Sequence, residues 1–251
     1  MSGSGPLFET VGLTVRHGGV VANSDVGVHV DAGEVVGLIG PNGAGKTTFV
    51  DAVTGFTPAA GAVSLAGKRI DGLAPHRRRQ AGLARTWQAG DLFADLTVRQ
   101  NLAVASGRPL LRNLWDDLTG RRPATQDVDA VLERCGLRPV ADRRPGELSP
   151  GQQKMVGVGR ALVGATLVAL LDEPAAGLDT DQSAEFGGQV RAMAKDGLGL
   201  LLIEHDMSLV FDVCDRVYVL DYGRVIAAGT PGAVRAEPAV VTAYLGSEVA
   251  P

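Results

Sequence analysis

The sequence predicts an α/β domain: a parallel sheet under helical cover, with antiparallel β structure at its start and a helical insertion. Three observations carry this. Short apolar runs bounded by turn residues recur at 34–39, 167–171, 198–203 and 216–220, the mark of strands buried on both faces. A helical stretch, 180–195, separates the second from the third, with Phe186, Val190 and Met193 on one face. The first 30 residues read instead as β-rich, with partial alternation at 7–15 and 25–30 and a Gly18-Gly19 turn between them.

Along the chain, the run 34–39 enters a glycine-rich loop, and a helix is expected over 46–53. From about 94 to 148 the pattern changes. Helical periodicity holds at 97–105 and 126–135, loop-rich segments surround 107–109 and 120–123, and no strand is evident. After Asp221 a Tyr222-Gly223 turn leads into 224–227, and two short helical patterns follow.

Bulk properties narrow the function. The 251 residues are 45% hydrophobic and 21% charged, ordinary for a soluble domain with a sizeable core. Net charge is −4 and the 24 basic residues are scattered, so no nucleic-acid partner is expected. The clusters His76-Arg77-Arg78-Arg79 and Arg143-Arg144 read as solvated surface. Two distant cysteines, Cys135 and Cys214, suggest a reducing compartment with neither disulfide nor zinc site. The N-terminal residues lack the basic region and apolar core of a signal peptide. Every apolar run falls far short of the ~20 residues that span a bilayer. A cytoplasmic chain is expected, so any membrane role must come through partners.

Gly40-Pro41-Asn42-Gly43-Ala44-Gly45-Lys46-Thr47 fits G-x-x-x-x-G-K-[ST] between a strand and a helix. Glycines let the backbone fold round a triphosphate with its N–H groups inward, and the helix adds the positive end of its dipole. Lys46 supplies an ammonium for the β and γ oxygens, and the Thr47 hydroxyl is a hard ligand for Mg²⁺. The loop is an NTP site. The run 167–171 leads into Asp172-Glu173-Pro174, two carboxylates at the carboxyl end of a strand, where open α/β sheets bind ligands. Side chains alternate along a strand, so the two should diverge. Asp172 is the better metal partner, and Glu173 the better general base for water.

With these motifs the sequence resembles the ABC ATPase family over essentially its whole length. Leu148-Ser149-Pro150-Gly151-Gln152 looks like the family signature, 20 residues before Asp172. Gln88 matches the glutamine that senses metal and membrane partner, Ala176-Gly177-Leu178-Asp179 the loop after the acidic pair, and His205 the histidine on the γ-phosphate. The resemblance implies a P-loop NTPase core with a parallel sheet, an N-terminal antiparallel β subdomain and an inserted helical subdomain. It implies one domain over 6–247, with the core at about 6–93 and 165–247 and the helical part at about 94–164. ATP would meet residues 40–48, Thr48 included, together with Ser149, Gly151, Gln152 and Asp179. Thr47, Gln88 and Asp172 would hold Mg²⁺, with Glu173, His205 and Lys46 as the catalytic groups.

The signature also makes physical sense by itself. Ser149 is a good N-cap and Pro150 suits the first helical position, so a helix starting here offers a second anion site. By family analogy two such subunits, alike or different, pack head-to-tail and sandwich each ATP. The helix is dotted with Gly157, Gly159 and Gly164, for which close packing should compensate. Two departures stand out. Pro150 replaces the usual glycine and removes one N–H donor, and His17 occupies the place of the usual adenine-stacking aromatic.

Residues 84–88, 172–177, 202–207 and the ending Ala243-Tyr244-Leu245-Gly246 resemble ATPase subunits of importers for branched-chain and related hydrophobic amino acids, amides or urea. That resemblance implies two permease subunits, a second ATPase and an extracytoplasmic binding protein, with the chain peripheral on the inner membrane face. Lipopolysaccharide-export ATPases share the ending but fit less well around 85–88 and 205–207. A soluble ABC ATPase acting on DNA or ribosomes would carry two cassettes or a long coiled coil, and neither is present. A P-loop kinase would have no use for the 148–152 motif.

Overall fold

The computed structural model describes residues 5–86, 92–105 and 124–245. Strands β1 (Phe8–His17), β2 (Val20–Val30), β4 (Ala60–Leu65) and β5 (Lys68–Arg69) form an antiparallel sheet in the order β2-β1-β4-β5. The second sheet runs β10-β9-β3-β8-β7-β6, from β3 (Val35–Ile39), β6 (Leu83–Arg85), β7 (Val168–Asp172), β8 (Gly199–Ile203), β9 (Arg216–Asp221) and β10 (Arg224–Gly229). Its first five members by sequence are parallel, and β10 adds an antiparallel edge.

The apolar runs become strands because the parallel sheet is covered on both faces. Every residue of β3, β7 and β8 is buried. Alternation sorts their side chains between two cores. Val36 and Leu38 pack with Phe49, Val50 and Val53 of helix α1 (Lys46–Thr54) and with Phe8 and Val26 of the antiparallel sheet. Val35, Ile39, Leu171 and Leu202 pack on the other side with Phe186, Val190 and Met193 of the long helix Thr180–Ala194. The carboxyl ends of β3, β7 and β8 therefore open at one edge.

The N-terminal strands are longer than expected because bulges break their alternation. Register shifts fall around Leu13, where Gly12 has φ 66 and Asp25 φ 56, so polar 23–25 continues the strand. Helix α2 (Pro75–Ala81) and strands β4, β5 and β6 were not foreseen, being short and weakly patterned. Between β6 and β7 come α3 (Val98–Ala105), α4 (Ala124–Arg134) and α5 (Pro150–Leu162), with no strand among the described residues. The remaining helices are α6 (Thr180–Ala194), α7 (Met207–Val213), α8 (Pro231–Arg235) and α9 (Pro238–Leu245).

Two expectations are corrected. The cluster 76–79 is not all solvated surface: Arg78 is buried, and Arg79 reaches the carbonyls of Ala161 and Val163. The Arg78 guanidinium donates to the carbonyls of Ala52, Val53, Asp71 and Leu73 at 2.6–2.9 Å. Two of these, Ala52 O and Val53 O, lie in the last turn of α1, where Ala52 O also accepts from the Gly55 N–H at 3.1 Å. Arg78→Ala should lower unfolding stability by about 3 kcal/mol, read as a lower urea midpoint at unchanged slope. Of the three glycines, only Gly159 is needed for packing, since a Cβ there would lie 2.9 Å from Leu102 Cδ2. Gly157 has open space, and Gly164 lies beyond the helix at φ 104.

Cys135 and Cys214 are free and buried, and burial pushes each thiol up to about 12. No described helix is long and apolar enough to cross a membrane.

Candidate active site

The phosphate loop joins β3 to α1. Gly40 sits against the β9 backbone so closely that a Cβ would lie 2.1 Å from the Leu220 carbonyl oxygen. Gly45, at φ 100, caps α1, and a Cβ there would meet the Ala22 carbonyl at 2.7 Å. Neither position tolerates a side chain. Two neighbours clamp the loop: buried Asn23 donates from Nδ2 to the Gly45 carbonyl at 3.2 Å, and the Gly223 N–H donates to Ala44 O at 2.9 Å. Gly223 belongs to a two-residue hairpin turn in which Tyr222 and Gly223 have φ 41 and 75, the turn type that matches strand twist.

No side chain caps α1 and no acidic residue lies in its first turn, so its first N–H groups face the loop uncompensated. Lys46 Nζ donates to Gly40 O at 2.6 Å and Pro41 O at 3.1 Å. Burial lowers the pKa of its ammonium, while Glu173 and Asp172 pull it back up. A buried cation beside oriented amides is suited to a polyphosphate.

Asp172 ends β7 and is 4% exposed. Its Oδ2 accepts from Arg85 Nη2 at 3.0 Å. Burial raises its pKa, and the Arg85 guanidinium draws it back down. Glu173 has φ 47, a left-handed conformation that costs about 1–3 kcal/mol in a non-glycine residue and gathers at functional sites. Its N–H is held by Ile203 O at 2.9 Å, and its Oε1 stands 3.5 Å from His205 Nδ1. The two carboxylates do diverge: Asp172 turns to Arg85 and Glu173 to His205. A cavity of about 1020 Å³ opens between Gly40–Ala44, His205 and α9.

The ABC transporter family model matches residues 23–176. The chain belongs to the ABC transporter family. A second model, described as a branched-chain amino acid ATP-binding cassette transporter, matches 224–250. The high-affinity branched-chain amino acid transport ATP-binding protein BraF of Pseudomonas aeruginosa is 37% identical over 252 residues, 97% of this chain and 99% of the relative. LivG of Escherichia coli K12, of the same description, is 38% identical with the same coverage. The lipopolysaccharide export ATP-binding protein LptB of Haemophilus influenzae is 34% identical over 90% of this chain and 91% of its own. An ATP-binding cassette of an ABC transporter, solved in its ADP conformation, superposes with TM-score 0.84 at 30% identity, covering 96% of this chain and 99% of that one. A nucleotide-free cassette gives 0.82 at the same identity and coverage. The fold is thus that of an ABC ATPase, and the chain is an ATP-binding ATPase coupled to transport.

The other expected site residues of this ABC ATPase are placed as follows. Ser149 caps α5: its Oγ accepts from Gln152 N at 3.3 Å, and Gln152 Oε1 accepts from Ser149 N at 3.0 Å. Gly151 lies in the first turn, beside Pro150. Among the described residues, no hydrogen bond or ion pair joins this surface to the phosphate loop. Asp179 caps α6 by accepting from Gln182 N at 2.9 Å. Thr47 is exposed and Thr48 half-buried at the start of α1. His17 is exposed at the β1–β2 hairpin tip. Gln88 lies outside the described residues.

Sequence reasoning missed several participants. Arg85 and its second carboxylate, Asp51 on α1, are one. Glu204, only 1% exposed, is another. Its Oε1 accepts from Ala175 N at 2.9 Å and its Oε2 from His205 N at 3.3 Å, tying the loop after the acidic pair to the histidine. Burial raises its pKa. Tyr244 of α9 is the third: its hydroxyl lies against the Gly40 backbone amide, and burial pushes it up to about 12. Adjacency to His205 was the only sequence signal for Glu204. Arg85 and Tyr244 fall within the stretches 84–88 and 243–246 that carry the resemblance, but no local pattern marked the contacts they make.

The donor set fits Mg²⁺. Thr47 and Asp172 offer hard oxygens, and no cluster of three or more His, Cys, Asp or Glu is built for a metal among the described residues. Mg²⁺ held by one carboxylate, a few neutral oxygens and nucleotide phosphates needs no such cluster.

Proposed function

We propose that the chain is the MgATP-driven subunit of an importer for branched-chain or related hydrophobic amino acids, amides or urea. The single observation behind ATP hydrolysis is the arrangement at the sheet edge: a lysine-bearing phosphate loop facing a Glu173–His205 pair. The importer branch is supported by the relatives of that description, which match nearly the whole chain, and by the family model at 224–250.

Lys46 and the α1 amides bind the triphosphate. Thr47 and Asp172 would hold Mg²⁺, joined by Gln88, and the ion would neutralise phosphate charge. Glu173 orients the attacking water and takes its proton. His205, beside Glu173, and Lys46 stabilise the charge growing on the γ-phosphate. The Ser149–Gln152 surface, Asp179 included, serves the ATP of a second subunit, so the closed state is a head-to-tail dimer, homomeric or heteromeric. His17 stacks on adenine. Hydrolysis reopens the dimer, and the alternation drives two permease subunits served by an extracytoplasmic binding protein.

A groove of about 780 Å³ between α2, α5 and the end of β6, with exposed Phe56 at its wall, is the face we assign to the permease. Helices of the 94–164 subdomain border it. The chain would sit on the inner membrane face through that contact.

Tagged protein captured from detergent-solubilised membranes of its source should bring down a polytopic permease pair and a second ATPase, identified by mass spectrometry. Lipid-export components in their place would move the substrate to that branch. Ribosomal or DNA-repair proteins with no membrane protein would overturn the transport partners.

A further inference from the structure

We propose that Arg85 is a positioning residue that fixes the Asp172 carboxylate relative to the phosphate-loop helix and so sets the affinity of the site for Mg²⁺. The proposal rests on the reading of Asp172 as a metal ligand. Arg85 ends β6, the edge strand of the parallel sheet, and its side chain is mostly buried. One guanidinium spans two carboxylates from different elements: Nη1 contacts Asp51 Oδ1 on α1, and Nη2 lies 3.0 Å from Asp172 Oδ2 on β7. The backbone repeats the tie, since Asp172 N–H donates to Thr86 Oγ1 at 2.9 Å and Thr86 N–H to Leu170 O at 2.9 Å.

Asp51 lies on the same helix as Lys46 and Thr47. The Arg85 fork therefore locks the Asp172 carboxylate to the element that carries Thr47, another of the protein oxygens proposed for the ion. A planar guanidinium can do this because its two terminal nitrogens diverge at a fixed angle. A single ammonium satisfies one carboxylate or the other. Hydrogen-bonded partners of a ligating carboxylate set its orientation, and their loss costs about 10–100-fold in metal affinity.

Two effects of Arg85 oppose each other. Its charge repels a cation at Asp172, so loss of charge alone would tighten Mg²⁺. Loss of the fork would misplace the carboxylate and weaken it. Arg85→Lys keeps the charge and removes the fork, which makes it the decisive variant. It also keeps a cation beside two carboxylates, so it folds more securely than Arg85→Ala.

The test is binding of a fluorescent ATP analogue to the full chain, titrated with Mg²⁺ and repeated in EDTA, with thermal unfolding checked in parallel. Arg85→Lys is expected to leave the affinity in EDTA within about twofold and to raise the half-saturating Mg²⁺ by at least about tenfold. Asp51→Asn, which frees one tine of the fork, is expected to shift it in the same direction by less. An unchanged or lower half-saturating Mg²⁺ in a folded Arg85→Lys protein would overturn the proposal. Asp172→Asn separates the two layers. It should remove most of the Mg²⁺ dependence, and if that dependence stayed intact the metal reading itself would fall.

Discussion

Glu173→Gln is expected to bind MgATP with near wild-type affinity and to hydrolyse it about 10²–10⁴-fold more slowly, the range for loss of a positioned general base. The substitution is nearly isosteric, so the left-handed backbone at Glu173 and its N–H bond to Ile203 O should persist. What changes is chemistry. An amide oxygen does not take the proton of the attacking water, and the partner of His205 Nδ1 becomes neutral. Asp172, Thr47 and Lys46 are untouched, which is why binding survives. Under the proposed head-to-tail closure on MgATP, blocked hydrolysis leaves no route to reopen, so a stable dimer should appear on size exclusion with MgATP and vanish with MgADP. Single-turnover phosphate release measures the chemical step directly. Normal release from the glutamine variant would assign the base elsewhere, and Glu204, buried and committed to two backbone amides, is a poor substitute.

How much of this was legible beforehand depended on whether a residue's role leaves a local pattern. The phosphate loop does, because backbone conformation forces glycine at 40 and 45: the first abuts the Leu220 carbonyl, the second the Ala22 carbonyl. Strands β3, β7 and β8 do as well, since burial on both faces makes them unbroken apolar runs. The cap was readable from Ser149 followed by Pro150, and the structure adds Gln152 as the returning half of a reciprocal capping box. Arg78 was misread because composition cannot distinguish an arginine in water from one that satisfies four backbone carbonyls. Asn23 and Arg85 were passed over for a related reason: their partners lie 22 and 87 residues away, so only the folded chain pairs them with Gly45 and Asp172. Bulges at Gly12 and Asp25 hid the true length of β1 and β2 by breaking the two-residue period on which strand reading depends.

Lys46→Ala should fail at the step before the one that Glu173→Gln blocks. The ammonium is buried among backbone carbonyls, donating to Gly40 O and Pro41 O, and it lies within reach of the fields of Glu173 and Asp172. It ties the first turn of the phosphate loop to α1, and in the proposed function it is the cation offered to the β and γ phosphates. Truncating one partner of a buried, hydrogen-bonded charge pair costs about 2–5 kcal/mol, roughly 30- to 4,000-fold in affinity. The loss should be larger for ATP than for AMP, since the missing charge faces the terminal phosphates. Competition of both nucleotides against a fluorescent analogue measures that ratio. A uniform loss for ATP and AMP would instead mark collapse of the loop, which Lys46→Met, of similar length but uncharged, would partly repair. Unchanged ATP binding would remove Lys46 from the nucleotide site. Taken with the first prediction, the outcome splits the site along its physical seam: binding on the loop side, at β3 and α1, and bond breaking on the β7–β8 side.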